Sequence, residues 1–196
     1  MQLIIHKTRL SVTFPFSAVI MLMLLLCDNE TVFVSLFSSL LHEAGHLFFL
    51  VMFHQPPSLI CFGAFGIRIE RQNGYYLSSK KEAAVALGGV GVNLLLMLFG
   101  VAFYLAFRSS IALKLAFVNG FIGAFNMLPV GLLDFGRFLE AMLSVKPDAQ
   151  RYLKVISLLT AVLVAVGCAL YNIFVGINVS LIAVSIYIIL ITTLKE

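Results

Sequence analysis

His42-Glu43-Ala44-Gly45-His46 sets two imidazoles four residues apart, with a carboxylate beside the first. On a helix, residues four apart share a face, so both rings can reach one metal ion. Neutral imidazole binds zinc at about 2.0–2.1 Å. A carboxylate next to such a pair can take a proton from water that zinc has acidified to a pKa of roughly 7. The bland alternative is two core histidines hydrogen-bonded to carbonyls. The surroundings count against it. The pattern sits inside an apolar run, where each ionisable group costs on the order of a few kcal/mol at the bilayer centre and is retained with a partner.

A catalytic zinc commonly has three protein ligands and one open position. Asp134 is the best candidate for the third. It follows Asn126-Met127-Leu128-Pro129-Val130-Gly131-Leu132-Leu133. Pro129 lacks a backbone donor and clashes with the preceding turn, so a helix should break there. Gly131 adds backbone freedom. Broken backbone at membrane depth is tolerated where it lines a cavity or is buried in protein. The break would let Asp134 turn back toward the histidines. Its ordinary alternative is an interfacial carboxylate near Arg137.

These residues need a scaffold, and the composition indicates its class. The chain has 196 residues, 61% hydrophobic and 11% charged, with a mean hydropathy of +1.07. A soluble domain of this length needs far more charge. The apolar residues come in blocks approaching the roughly 20 needed to cross a bilayer. The expected fold is an all-α polytopic membrane protein of about six transmembrane helices, forming one integral-membrane domain over residues 1–196. The spans run from about Leu10 to Cys27, Thr31 to Phe53, Ala83 to Phe107, Ile111 to Leu128, Val155 to Ile173, and Gly176 to Thr193. The first resembles a signal peptide but has no convincing cleavage site, so it reads as a retained span.

The basic residues cluster in alternate loops. One face carries Lys7, Arg9, Arg68, Arg71, Lys80, Lys81, Arg137, Lys146, Arg151, Lys154 and Lys195; the other carries Arg108 and Lys114. The positive-inside rule then places both termini in the cytoplasm. A pI of about 9.1 reflects this orientation, since no basic, aromatic-interleaved platform for nucleic acid is present. His46 would lie about seven residues from the cytoplasmic end of its span, roughly 10 Å deep. Between spans two and three, Ile67-Arg68-Ile69-Glu70 alternates as a half-buried strand does, and Asn73-Gly74 signals a tight turn before Tyr75-Tyr76-Leu77. A small cytoplasmic β-hairpin is expected there. It would either close the mouth of the site or pair with an unwound substrate. Residues 130–154 hold a short amphipathic stretch and a Lys146-Pro147-Asp148 turn. Cys27, Cys61 and Cys168 are too scattered for a disulfide framework or a zinc knuckle and read as free thiols. Asp134-Phe135-Gly136 spells a kinase triplet, but no phosphate loop or catalytic-loop motif accompanies it.

The two motifs together resemble the site-2 protease family. That family joins H-E-x-x-H on one span to N-x-x-P-x-x-x-L-D-G on a later one. Here the second motif reads Asn126, Pro129, Leu133, Asp134, with Phe135-Gly136 in place of the usual glycine pair. Gly89-Val90-Gly91-Val92-Asn93 is similar to a third family motif, without its proline. Its Asn93 is expected either to line the site or to hydrogen-bond between helices. Small residues at Ala84 and Gly88, and at Gly120 and Ala124, read as close helix packing.

The resemblance implies an intramembrane zinc metalloprotease with one Zn2+ per chain. His42, His46 and Asp134 would be ligands and Glu43 the general base. Asn93 and Asn126 would bind substrate or line the site. The sporulation-type branch is the most similar, although neither its nucleotide-sensing domain nor a PDZ domain is expected here. The implied substrate is a membrane-anchored protein such as a transcription-factor precursor or anti-sigma factor, cut near the cytoplasmic face. Besides that substrate and the lipid bilayer, a regulatory membrane protein or a second copy of the chain is a partner open to this class. Two other functions compete: a divalent-metal transporter using the same His/Asp cluster, and a non-catalytic scaffold. Transport does not require a base beside the ligands, and a scaffold does not require all four residues.

Overall fold

Helix starts and stops follow local chemistry. The computed structural model describes residues 2–5, 8–26, 28–55, 57–63, 66–71, 77–144 and 148–194. Two compact units divide the chain, Met1–Gly123 and Ala124–Glu196.

The first unit opens with strands β1 (Gln2–Ile5) and β2 (Thr8–Val12), followed by helix α1 (Phe14–Leu26). The expected first span therefore begins about four residues late, because Leu10, Ser11 and Val12 are in a strand. The local reason is Pro15. In the first helical turn a missing N–H goes unneeded, so the proline favours a start there. The β-branched residues Thr8, Val12 and Thr13 favour extended backbone before it. Helices α2 (Asn29–Met52), α3 (Ser79–Phe107) and α4 (Ser110–Asn126) match expected spans two to four closely.

Strands β3 (Pro57–Gly63) and β4 (Gly66–Arg71) lie between α2 and α3. A hairpin forms around the expected strand, with β3 as its described partner. Among the described residues, β4 pairs with the strand before it. Phe62 faces Ile67 and Ile60 faces Ile69 in this antiparallel register. Leu, Ile, Cys and Phe make the Pro57–Gly63 run a good strand, and Gly63 pairs with Gly66 at its end. Asn73-Gly74 and Tyr75-Tyr76 lie outside the described residues, and Leu77 is not in a strand. The hairpin is also part of something larger: a four-stranded sheet in the order β1-β2-β3-β4. The join is a parallel pairing of β2 with β3, Arg9 opposite Leu59 through Val12 opposite Phe62. The Thr8 hydroxyl donates to the Pro57 carbonyl at 2.8 Å and the Thr13 hydroxyl to that of Phe62 at 2.9 Å, pinning the register.

The second unit holds α5 (Asp134–Leu143), α6 (Ala149–Phe174) and α7 (Val179–Leu194). α5 is the expected amphipathic stretch, while Lys146 and Pro147 lie outside the described residues. Val130, Leu133, Ala161 and Ile188 form a buried cluster with Phe125, Leu128, Val164 and Val184 packed on it. Cys61 and Cys168 are free thiols, and Cys27 lies outside the described residues.

Among the described residues, three helices are long and apolar enough to cross a membrane: Asn29–Met52, Ser79–Phe107 and Ala149–Phe174. α1, α4 and α7 are apolar but shorter. Burial in α2 is inverted relative to a soluble protein. Ser38, His42 and His46 are buried, while Phe33, Phe37, Leu40 and Phe48 are exposed. Apolar groups outside and polar groups inside is the arrangement a hydrocarbon solvent demands.

Asp28 caps α2, accepting from the Thr31 N–H at 3.1 Å and the Thr31 hydroxyl at 2.8 Å. Lys114 of α4 sits 2.7 Å from Asp28 and 2.9 Å from Glu30. The Lys114 ammonium, aided by Thr31, lowers the Asp28 carboxyl from 3.8 to about 2. A depressed carboxylate stabilises the fold above its ordinary value and loses that contribution as pH falls through the folded value. Thermal unfolding in detergent should therefore show a loss of stability between pH 3.8 and about 2 that is missing in Asp28→Asn. Superimposable curves for the two proteins would show that the Asp28 charge and its ion pair contribute nothing.

Candidate metal centre

In the first unit, α2 and α3 meet glycine on glycine. A Cβ at Gly88 would lie 2.6 Å from the Gly45 carbonyl oxygen, and one at Gly45 would overlap the Gly88 carbonyl. Gly88 thus serves the packing role expected of it. Gly120 does so more mildly, against the Met97 sulfur at 3.2 Å. This close approach presses the two histidine rings onto α3. A Cβ at Gly89 would sit 2.5 Å from His46 Nε2 and 2.7 Å from His42 Nε2. Gly89 leaves the room that the rings occupy. Gly91, in the same motif, faces open space.

His42 and His46 are buried, with their rings nearly perpendicular at 86° and centroids 4.8 Å apart. His46 Nδ1 lies 2.7 Å from the Val85 carbonyl oxygen, and His42 Nδ1 lies 2.5 Å from Asn93 Oδ1. Both partners are acceptors, so in a neutral ring each Nδ1 carries the proton and each Nε2 presents its lone pair. The two Nε2 atoms converge to 3.2 Å. Two bonds of about 2.0–2.1 Å in tetrahedral geometry would hold their nitrogens about 3.3 Å apart. The pair therefore fits a zinc ion bound through Nε2. A histidine ligand that donates its other N–H to a carbonyl is the usual outer-shell arrangement of such a site. Asn93 bridges helices, meeting His42 of α2 and Asn119 of α4. Glu43 is half-buried on the same helix.

Asn119 is the residue that sequence reasoning missed. It is fully buried and hydrogen-bonded to Asn93. The available signal was an asparagine in the middle of an apolar helix.

In the second unit, Asp134 is buried and opens α5 after a broken backbone. α4 ends at Asn126, three residues before Pro129, as expected. The loop is held from within its own unit. Ser157 of α6 accepts from the Gly131 N–H and donates to the Pro129 carbonyl, each at 3.2 Å. The Leu133 N–H donates to the Val130 carbonyl at 2.8 Å. A Cβ at Gly136 would overlap the Val130 carbonyl, so the glycine retained there has a steric reason. Phe135, at the substituted glycine position, stacks on Phe138 with centroids 5.5 Å apart. The loop thus stays tight despite the substitution. Asn126 is partly exposed at the end of α4.

No family model matches the chain, and no curated protein matches it. Among solved structures it is similar to the site-2 protease from Methanocaldococcus jannaschii, with a TM-score of 0.68 and 18% sequence identity. The alignment covers 98% of this chain and 93% of that one. The chain thus has the fold of a site-2 protease.

The contact at Gly89 can be tested directly. Gly89→Ala should weaken zinc binding about 10–100-fold, the range seen when support around a ligand is lost. Gly91→Ala should leave it unchanged. Chelator competition on the purified protein measures both. Equal affinities would show that the rings do not rest on this part of α3.

Proposed function

We propose that this chain is an intramembrane zinc metalloprotease, a metalloendopeptidase of the site-2 protease family. The observation that carries the proposal is the His42 and His46 pair: two lone pairs aimed at one point, 3.2 Å apart, inside a candidate membrane span. The shared fold supports the family assignment.

His42, His46 and Asp134 are buried and of the kinds and number that could hold one metal ion. Two imidazoles and one carboxylate make a donor set of the catalytic-zinc type, with a position left for water or substrate. Zinc, when bound, supplies a Lewis acid that acidifies water and polarises a carbonyl. Glu43, next to His42, takes the proton of the attacking water and returns it to the departing amine as the peptide bond breaks. Asn93 keeps His42 oriented, and Asn126 contributes to substrate binding.

In this reading all six apolar helices cross or enter the bilayer, both termini are cytoplasmic, and cleavage occurs near that face. The substrate is a membrane-anchored protein, such as a transcription-factor precursor or anti-sigma factor. A transmembrane helix conceals its peptide bonds, so a segment must unwind before attack. β4 is an edge strand with one neighbour among the described residues. Its open side suits an unwound segment, since an extended peptide can add to a sheet edge through main-chain hydrogen bonds.

Purified protein tested on single-span membrane-anchored precursors should cleave at least one of them. Glu43→Gln should lower the rate by about 10²–10⁴-fold, the usual contribution of a general base, while zinc content stays at one per chain. His42→Ala and Asp134→Asn should lose zinc as well as activity. Native-rate cleavage by Glu43→Gln would remove Glu43 from the chemistry. Metal flux in liposomes without peptide cleavage would favour transport.

A further inference from the structure

The Asn93 amide that meets His42 is one link in a run of hydrogen bonds crossing three helices. Asn93 Nδ2 donates to Asn119 Oδ1 at 2.8 Å. Asn119 Nδ2 donates to the Leu115 carbonyl at 2.8 Å and to the Ser38 hydroxyl at 2.9 Å. Ser38, Asn93 and Asn119 are fully buried.

The run has a direction. A main-chain carbonyl can only accept, so the Leu115 oxygen fixes which end of the Asn119 amide faces it. Asn119 must then turn its oxygen to Asn93. Asn93 must donate there, which leaves its own oxygen toward His42. His42 Nδ1 must therefore hold the proton, and Nε2 keeps its lone pair. His46 reaches the same state without a relay, because its Nδ1 already faces the Val85 carbonyl. Both rings are thus anchored to a main-chain oxygen that cannot flip, one directly and one through two amides.

We infer that Asn119 is a positioning residue for the metal centre. Through Asn93, it holds His42 in the tautomer that can bind metal. This rests on the reading of His42 as a zinc ligand. Interhelical hydrogen bonds that only glue helices need no common direction. Here, reversing any one amide would set donor against donor or acceptor against acceptor.

The test separates the acceptor at position 119 from the bulk there. Asn119→Asp keeps an oxygen toward Asn93 in either protonation state. Asn119→Thr can bond its hydroxyl back to the Leu115 carbonyl, as threonine does in helices, but is too short to serve Asn93. Asn119→Leu keeps the bulk and removes the acceptor. The tautomer is read by ¹⁵N NMR of labelled histidine in metal-free protein, and zinc affinity by chelator competition.

Native protein and Asn119→Asp should show His42 as the Nδ1–H form, with zinc affinities within about threefold of each other. Asn119→Thr and Asn119→Leu should show mixed tautomers and bind zinc about 10–100-fold more weakly. A folded Thr or Leu variant that keeps both the single tautomer and native affinity overturns the inference. Native protein that binds no zinc would instead overturn the metal-centre reading, while the metal-free spectra still judge the relay.

Discussion

Two imidazole nitrogens face each other at 3.2 Å inside a candidate membrane span, and both rings have their other nitrogen hydrogen-bonded to an acceptor. A single cation between two converging lone pairs satisfies both. Much of the first unit serves this convergence. The glycine contact between α2 and α3 brings the helices close, Gly89 makes room for the rings, and two fixed acceptors orient them. Replacing any one of these would loosen the pair without touching a ligand.

The energetics indicate what the buried amides are for. Interhelical hydrogen bonds in membranes average about 0.6 kcal/mol each, so three contribute only about 2 kcal/mol to folding. Their larger effect is on choice of state. An imidazole in the wrong tautomer points an N–H at the metal position and ceases to be a ligand. A small folding term therefore decides whether the site exists. The second unit follows the same economy of means, with one serine hydroxyl satisfying both a donor and an acceptor of the loop before Asp134.

The parts of this account readable in the sequence are the local ones. Residues four apart must share a helix face, so the histidine pair was legible in five letters. Pro129 had to end α4, and the alternation in Ile67 to Glu70 had to make a strand. What escaped was set by distance along the chain. The parallel pairing of Arg9–Val12 with Leu59–Phe62 joins segments about fifty residues apart and leaves no local periodicity. The end of β2, Leu10 to Val12, was consequently absorbed into the first span. Asn119 meets Asn93 across 26 residues, and an isolated asparagine in an apolar run does not name its partner. Gly89 read only as the start of a motif, because nothing in the sequence says which side chains will lie against a given glycine.

Zinc K-edge absorption of the purified protein tests the metal centre most directly. One zinc per chain is expected, with two imidazole nitrogens at about 2.0–2.1 Å, the remaining donors oxygen, and no sulfur. A sulfur shell at about 2.3 Å, or a spectrum unchanged when His42 and His46 are both replaced, would contradict it.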